Sequence, residues 1–432
     1  MSTWESTGER IRGKEPRKES VRSDIPIFYS KLRSRWVLLL VLLSFAPSLL
    51  KAQDSPNSTS GPSSASEPTS QAAGLNLESI KPVPIFSLGG AYVSQFEGGQ
   101  QHLEPLMSPV VLVPLGNKWL IESRDTLETD LTPPPGGSGF KGSLEKEVDY
   151  FQLDYIASPY ATITVGKFLT PFGIYNERLY PIWVRNLQSD PLIFPLGVGP
   201  SNAGTGAMVR GGFSLNSSVN LNYAAYYSTL ITQSPVDSWR MAGGRAGIFL
   251  PGPRLEMGGS FQHLLQDDRS NSFGFHAEWQ PAALPLTLRA EYARSSQGSG
   301  YWAESAYRLT QVPVHQDFWG RIQLVGRMQE YFIGANASEA ILSENTRMFE
   351  FGLNYYFRDD IRFVSSFGRQ FSPLVTNNVL AINRTIPPSV DSETGLLPGG
   401  VAPQSTSGGN MNVWTVGITY RFVLPLGHGE MN

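Results

Sequence analysis

Apolar and polar residues alternate along most of the chain from residue 84 onward. In Met348–Arg358, Phe349, Phe351, Leu353, Tyr355 and Phe357 fall on one face, and Glu350, Gly352, Asn354 and Arg358 on the other. Trp414, Val416, Ile418, Tyr420 and Phe422 alternate with Thr415, Gly417, Thr419 and Arg421 in the same way. Phe318, Ile322, Leu324 and Met328 alternate with Arg321, Gln323, Arg327 and Gln329. A period of two marks strands with one face on apolar surroundings, and no long helical pattern competes with it. Sixteen strands can be drawn, starting with 85–96 and 105–113, including 147–157, 160–168 and 317–331, and ending with 360–371 and 411–422.

The connections fall into two classes in turn. Pro114–Asn117, Ser158-Pro159, Ser214–Asn216, Pro251–Pro253, Pro281–Ala283, Thr310–Gln316 and Arg358–Asp360 are short; 97–104, 131–146, 169–204, 229–239, 266–269, 295–300, 332–344 and 372–410 are generally longer. An even strand number, short turns at one end and long loops at the other predict an all-β fold, a transmembrane antiparallel β-barrel of about sixteen strands. A soluble sandwich would share the alternation but not the charges on its polar face. That face carries Arg124, Arg210, Arg289, Arg308, Arg321, Arg327, Arg362 and Arg421 against Glu122, Glu128, Asp154, Glu256, Glu278, Glu291, Glu304 and Glu350. Isolated charges are strongly disfavoured in an apolar interior, whereas a sixteen-stranded barrel encloses water. These residues, notably the first seven arginines with Glu291 and Glu350, are therefore expected to line a pore. Trp119, Trp239, Trp279, Trp302, Trp319 and Trp414 lie near predicted strand ends, where aromatic girdles meet membrane interfaces.

Composition supports the reading. Charged residues make up 16% of the 432 residues, below the ~25% usual for soluble domains. There is no cysteine, hence no disulfide framework and no thiolate site. Residues 1–52 carry a net +5, which leaves −8 on the rest. An acidic body without a basic patch argues against a nucleic-acid partner. Lys31–Arg35 precede a mostly apolar run of 15 residues, Trp36–Leu50, short of the ~20 a spanning helix needs. Residues 1–52 thus read as a signal peptide ending at Ala52, with 1–30 long enough to suggest a start placed too far upstream. Residues 53–83, rich in Ser, Pro, Thr and Gly, read as a disordered periplasmic linker, 84–423 as the barrel and 424–432 as a short tail.

No catalytic, metal or cofactor motif stands out. Gly137, Gly139 and Gly142 match G-x-G-x-x-G but follow prolines in a loop rather than opening a helix. The five histidines lack metal-ligand spacing, and His263 near Asp267 and Asp268 fits a solvated hairpin, one hairpin being too little for a base, its orienter and a water site.

Residues 169–204 are the exception to the polar loops. They are long, aromatic and apolar, as in Leu169–Leu187 and Gln188–Leu196. Such a loop is expected to pack on something, the channel wall being nearest. Lys167, Glu177, Arg178, Arg185 and Asp190 would then sit near the narrowest point. Val165-Gly-Lys-Phe-Leu-Thr-Pro-Phe-Gly-Ile-Tyr-Asn-Glu-Arg-Leu179 resembles the G-[KR]-F-x-x-P-F-G segment of the phosphate-selective porin O/P family, specifically over residues 147–215 and only architecturally beyond. The resemblance implies an outer-membrane homotrimer in outer-membrane lipid, whose third loop folds into the pore. It marks Lys167, Pro171, Phe172, Gly173, Asn176, Glu177 and Arg178 as loop and constriction residues. Phosphate selectivity goes with runs of pore-facing Arg and Lys, and eight basic against eight acidic residues is not such a run. The expectation is a passive channel for small polar or anionic solutes, possession of an enzyme or adhesin platform being the alternative.

Overall fold

The computed structural model of the chain describes residues 83–97, 100–133, 139–194, 203–230, 239–265, 270–334, 345–371 and 410–426. The predicted leader, linker and most of the tail lie outside them, as do Asp267, Asp268 and the loop 372–409. Sixteen strands form one closed antiparallel barrel. They are β1 (Ile85–Glu97), β2 (Gln100–Leu115), β3 (Trp119–Thr132), β4 (Lys141–Ser158), β5 (Ala161–Leu169), β6 (Ala203–Asn216), β7 (Val219–Leu230) and β8 (Trp239–Leu250). Then follow β9 (Leu255–Leu264), β10 (Asn271–Trp279), β11 (Leu286–Arg294), β12 (Gly298–Arg308), β13 (Ile322–Ile333), β14 (Thr346–Arg358), β15 (Ile361–Phe371) and β16 (Met411–Pro425). Each strand pairs with its sequence neighbours, and β1 closes on β16 from Ile85↔Pro425 to Glu97↔Val413. Closure leaves no unpaired strand edge, which a sheet in lipid requires.

Alternation sets the two faces. Phe351, Leu353, Trp414, Ile418 and Phe422 are exposed on the outside, while Glu350, Asn354, Thr415 and Thr419 are buried within. An apolar exterior around a polar interior has to sit in lipid, which places the barrel in an outer membrane.

Three departures from the predicted pattern have local causes. β2 starts at Gln100 and β4 at Lys141, so the first long connection shrinks to residues 98–99 and the β3–β4 hairpin lengthens. β13 starts at Ile322 because Gln316–Trp319 form a short helix before it. Asp149 is the extra residue of a β-bulge, Arg124 pairing with Tyr150 and Asp125 with Val148. The bulge turns Asp149 inward, where strict alternation would put it on lipid. Trp302 also departs from expectation. It is buried in the lumen wall, whereas Trp119, Trp279, Trp319 and Trp414 are exposed.

Candidate functional site: the loop across the lumen

The chain leaving β5 turns into the barrel, and we call residues 170–194 loop L3. Its beginning is shaped by three residues. Phe172 is fully buried and packs over Gly274 of β10. Gly173 has φ +63, and a side chain there would collide with the Glu291 carboxylate; only glycine meets both conditions. The Asn176 side chain donates to the Thr170 carbonyl at 2.8 Å, tying the bend to itself. Tyr175–Leu179 then form one π-helical turn.

From there L3 touches three sectors of the wall. Against β8–β11, the Gly173 N–H donates to Ser260 (2.9 Å), and the N–H groups of Ile174 and Tyr175 donate to one Glu291 oxygen, each at 3.2 Å. Arg178 grips Glu256 with both terminal nitrogens (2.7 and 2.6 Å), and Arg245 pairs with Glu177 at 2.5 Å. Against β1–β3, Ile182 packs on Ala91, Val93 and Leu106. Arg124 lies 4.9 Å from the Tyr180 ring centroid and 5.2 Å from that of Trp183. Bulge residue Asp149 holds Arg124 from behind at 2.9 Å, and both side chains are buried. Against β12–β15, Leu187 packs on Ala306 and Val325. Asn186 donates to Glu304 (2.7 Å), Ser189 donates to Glu350 (2.6 Å), and Arg327 bonds both Glu350 (2.7 Å) and the Ser189 carbonyl (2.8 Å). Arg362 donates to the Arg185 carbonyl at 2.5 Å, and Leu192 N–H to Gln329 at 3.0 Å.

The loop also has a core of its own. Tyr175, Leu179, Leu192 and Ile193 join Trp302, Tyr331, Met348 and Val413 of the wall in one buried cluster. Inside it Arg185 pairs with Asp190, which also accepts from the Tyr175 hydroxyl at 2.5 Å. Burial pushes the Tyr175 phenol well above its ordinary value, so it stays a donor. Burial is the largest influence on Arg185 and opposes its charge, but Asp190, Tyr175, Tyr180 and Glu128 together outweigh it and hold the guanidinium above its usual range.

The anticipated site residues therefore fall into groups. Phe172, Gly173, Glu177 and Arg178 sit together against β8–β11, while Asn176 ties the bend to Thr170 and Pro171 is buried at the start of the loop. Arg185 and Asp190 pair with each other away from water. Lys167 stands apart: its register partner Phe151 is exposed on the outer face, and its ammonium bonds the Val148 carbonyl and lies 3.9 Å from Glu147. Of the wall residues, Arg124, Arg327, Arg362, Glu291 and Glu350 hold L3. Arg210 pairs with Asp154 (2.9 Å) and Arg289 with Glu278 (3.1 Å). Arg321 is exposed and donates to the Phe357 carbonyl at 3.2 Å. Arg308 lies 4.4 Å from the Tyr356 ring, with Arg362 5.6 Å from the same ring. Asp149 and Arg245 were not anticipated. A bulge conceals the first from any period-two reading, and Arg245 sits among small residues, Ala242–Gly247, that carry little facing signal. His263 bonds Asn271 at 2.8 Å.

No family model and no curated protein matches the chain. Among solved structures, OprB of Pseudomonas putida aligns with a TM-score of 0.50 at 7% identity, covering 79% of this chain and 94% of its own. The anion-selective porin of Comamonas acidovorans aligns at 0.48 and 12%, covering 79% and 99%. OmpT of Vibrio cholerae in its trimer form aligns at 0.48 and 10%, covering 79% and 100%. At such identities the likeness is one of fold: the chain has the barrel of bacterial outer-membrane porins.

Proposed function

We propose that the chain is an outer-membrane porin, a passive channel whose lumen is narrowed by L3 and which passes small polar solutes with a mild preference for anions. The observation that carries the preference is what remains of the lumen charge once L3 is seated. Most wall charges are spent on the loop or on each other. Among the described strand residues, the inward arginines outside any ion pair include Arg308, Arg362 and Arg421, and the inward carboxylates outside any ion pair include Glu122 and Glu128 on β3, Glu145 on β4 and Glu291, which holds L3 through the N–H groups of Ile174 and Tyr175. With Arg362 buried against L3, the arginines left for the lumen are half-buried Arg308 on β12, beside Tyr356, and exposed Arg421 on β16, so an anion passing either meets a guanidinium outside any ion pair. Screening is weak where few waters fit, which strengthens the effect of each charge. These two arginines lie on other strands than the carboxylates of β3 and β4, which supports a local bias on their side of the lumen, not a phosphate filter. The homotrimer implied by the O/P resemblance belongs to the same reading.

The test is the reversal potential of single channels in a salt gradient. Wild type should favour anions, and R308Q/R421Q, which leaves the seat of L3 untouched, should move the reversal potential toward cations. An unmoved potential would remove this wall from the selectivity of the channel.

A further inference from the structure

The outer face of the barrel carries a second arrangement of charge, unrelated to the lumen. Among the described residues of β8–β15, the charged side chains that face outward near the long-loop end are Arg240, Arg294, Arg347, Arg369 and Glu330. Four cations against one anion is a strong bias for a surface that meets lipid. The cations are also not scattered. On β14 the outward row reads Arg347, Phe349, Phe351, and on β15 its register partners read Phe371, Arg369, Phe367. Arginine and phenylalanine thus form a checkerboard, with Arg347 and Arg369 on its diagonal, a spacing of roughly 7–8 Å between backbones.

Each arginine is held for outward use. Glu330 on β13 accepts Nε and Nη2 of Arg347 through one oxygen (3.1 and 2.6 Å), and the Tyr301 hydroxyl donates to Glu330 at 3.1 Å. This leaves Nη1 of Arg347 directed away from its partner. Arg369 lies over the Phe371 ring at 5.3 Å and forms no ion pair among the described residues. Beside Arg347 opens a cavity of about 430 Å³ lined by Glu330, Asn345, Thr346, Arg347, Phe349 and Phe371, and Arg369 neighbours its two phenylalanines, Phe349 across the strand pair and Phe371 through its ring. Toward the barrel middle the same face continues as bare apolar surface: Phe351 is 66% exposed, and Trp414 packs edge-on against Phe367 at 5.1 Å.

The geometry points to a lipid site: Arg347 and Arg369 together bind a phosphate of the anionic glycolipid in the outer leaflet, and its acyl chains lie down the Phe351–Phe367–Trp414 surface. Two guanidinium groups can engage one phosphate with charge-assisted, forked hydrogen bonds. Long loops mark the external end of such barrels, so the site faces the outer leaflet. The site rests on the barrel lying in an outer membrane but not on its conducting anything, so channel recordings and lipid binding fail separately.

Native mass spectrometry of the full chain in detergent, with a bisphosphorylated lipid A as probe and phosphatidylcholine as the uncharged comparison, tests it. Wild type should keep the glycolipid after the detergent is stripped. R347Q/R369Q should weaken binding by about tenfold or more, as the loss of charge-assisted bonds implies. R240Q/R294Q, which removes the same charge from other strands, should leave it unchanged. Heat-modifiable gel mobility shows whether each variant has folded, and exposed outward positions near the interface should not prevent it. Equal weakening by both double variants, or equal retention of phosphatidylcholine, would overturn the site.

Discussion

Asp190→Ala is the most informative single change to L3. Arg185 and Asp190 are both nearly inaccessible, at 2% and 6%. Without the carboxylate, Arg185 keeps its bonds to the carbonyls of Leu179 (3.0 Å) and Tyr180 (2.7 Å), so its hydrogen bonds survive while its charge is left alone. Removing one partner of a buried pair costs about 3–5 kcal/mol, or a factor of roughly 10² to 10⁴ in the population of the docked loop. The barrel need not absorb that cost. L3 can relieve it by leaving its seat and taking Arg185 to water, while the strand ladders stay intact. D190A should therefore keep its heat-modifiable band but show larger, noisier single-channel steps than wild type. R185L/D190N removes the charge from both sides and leaves an acceptor for Tyr175, so it should return most of the way, since exchanging a whole buried pair is often near neutral. Steps unchanged in D190A, or a double variant as open as the single, would refute the pair as the pin of the loop.

Other expectations follow from the faces and the bulge. Leu353→Arg or Ile418→Arg places a charge on the lipid side and should destabilise refolding by about 2–4 kcal/mol near the midplane, whereas inward-facing Arg421→Gln should stay within about 0.5 kcal/mol; equal costs would contradict the facing. Asp149→Ala strands the buried Arg124 and should cost about 3–5 kcal/mol in urea unfolding from detergent; an unchanged midpoint would show that the bulge pair is dispensable.

The strand number, the sixteen-strand closure and the inward packing of residues 170–194 were legible because each rests on a repeated or extended signal. Period-two alternation is read over ten residues at a time, and a loop with Phe172, Ile174, Tyr175, Ile182 and Leu187 has to bury them somewhere. What alternation could not convey is where a single residue departs from it. Asp149 faces inward only because a bulge adds one residue to β4. Asn354 shows a second limit. Alternation places it in the lumen, where an arginine would be expected to be tolerated, yet the structure buries it beneath L3 with its amide on the Asn186 carbonyl at 2.9 Å. The same applies to Arg185. Its place on a pore loop suggests a charge in water, and only the fold of the loop shows that Asp190 neutralises it. Pairing between residues far apart in the chain, such as Ser189 with Glu350, is set by tertiary geometry and leaves no local trace.

The central claim is that L3 narrows a conducting barrel, and comparing two loop deletions in planar bilayers tests it most directly. Wild type should give discrete conductance steps. Deleting 174–200 should raise them and weaken selectivity, while deleting 375–408, a loop of similar length, should leave them nearly unchanged. An intact barrel with no steps at all, or steps altered by the second deletion and not by the first, would contradict the account.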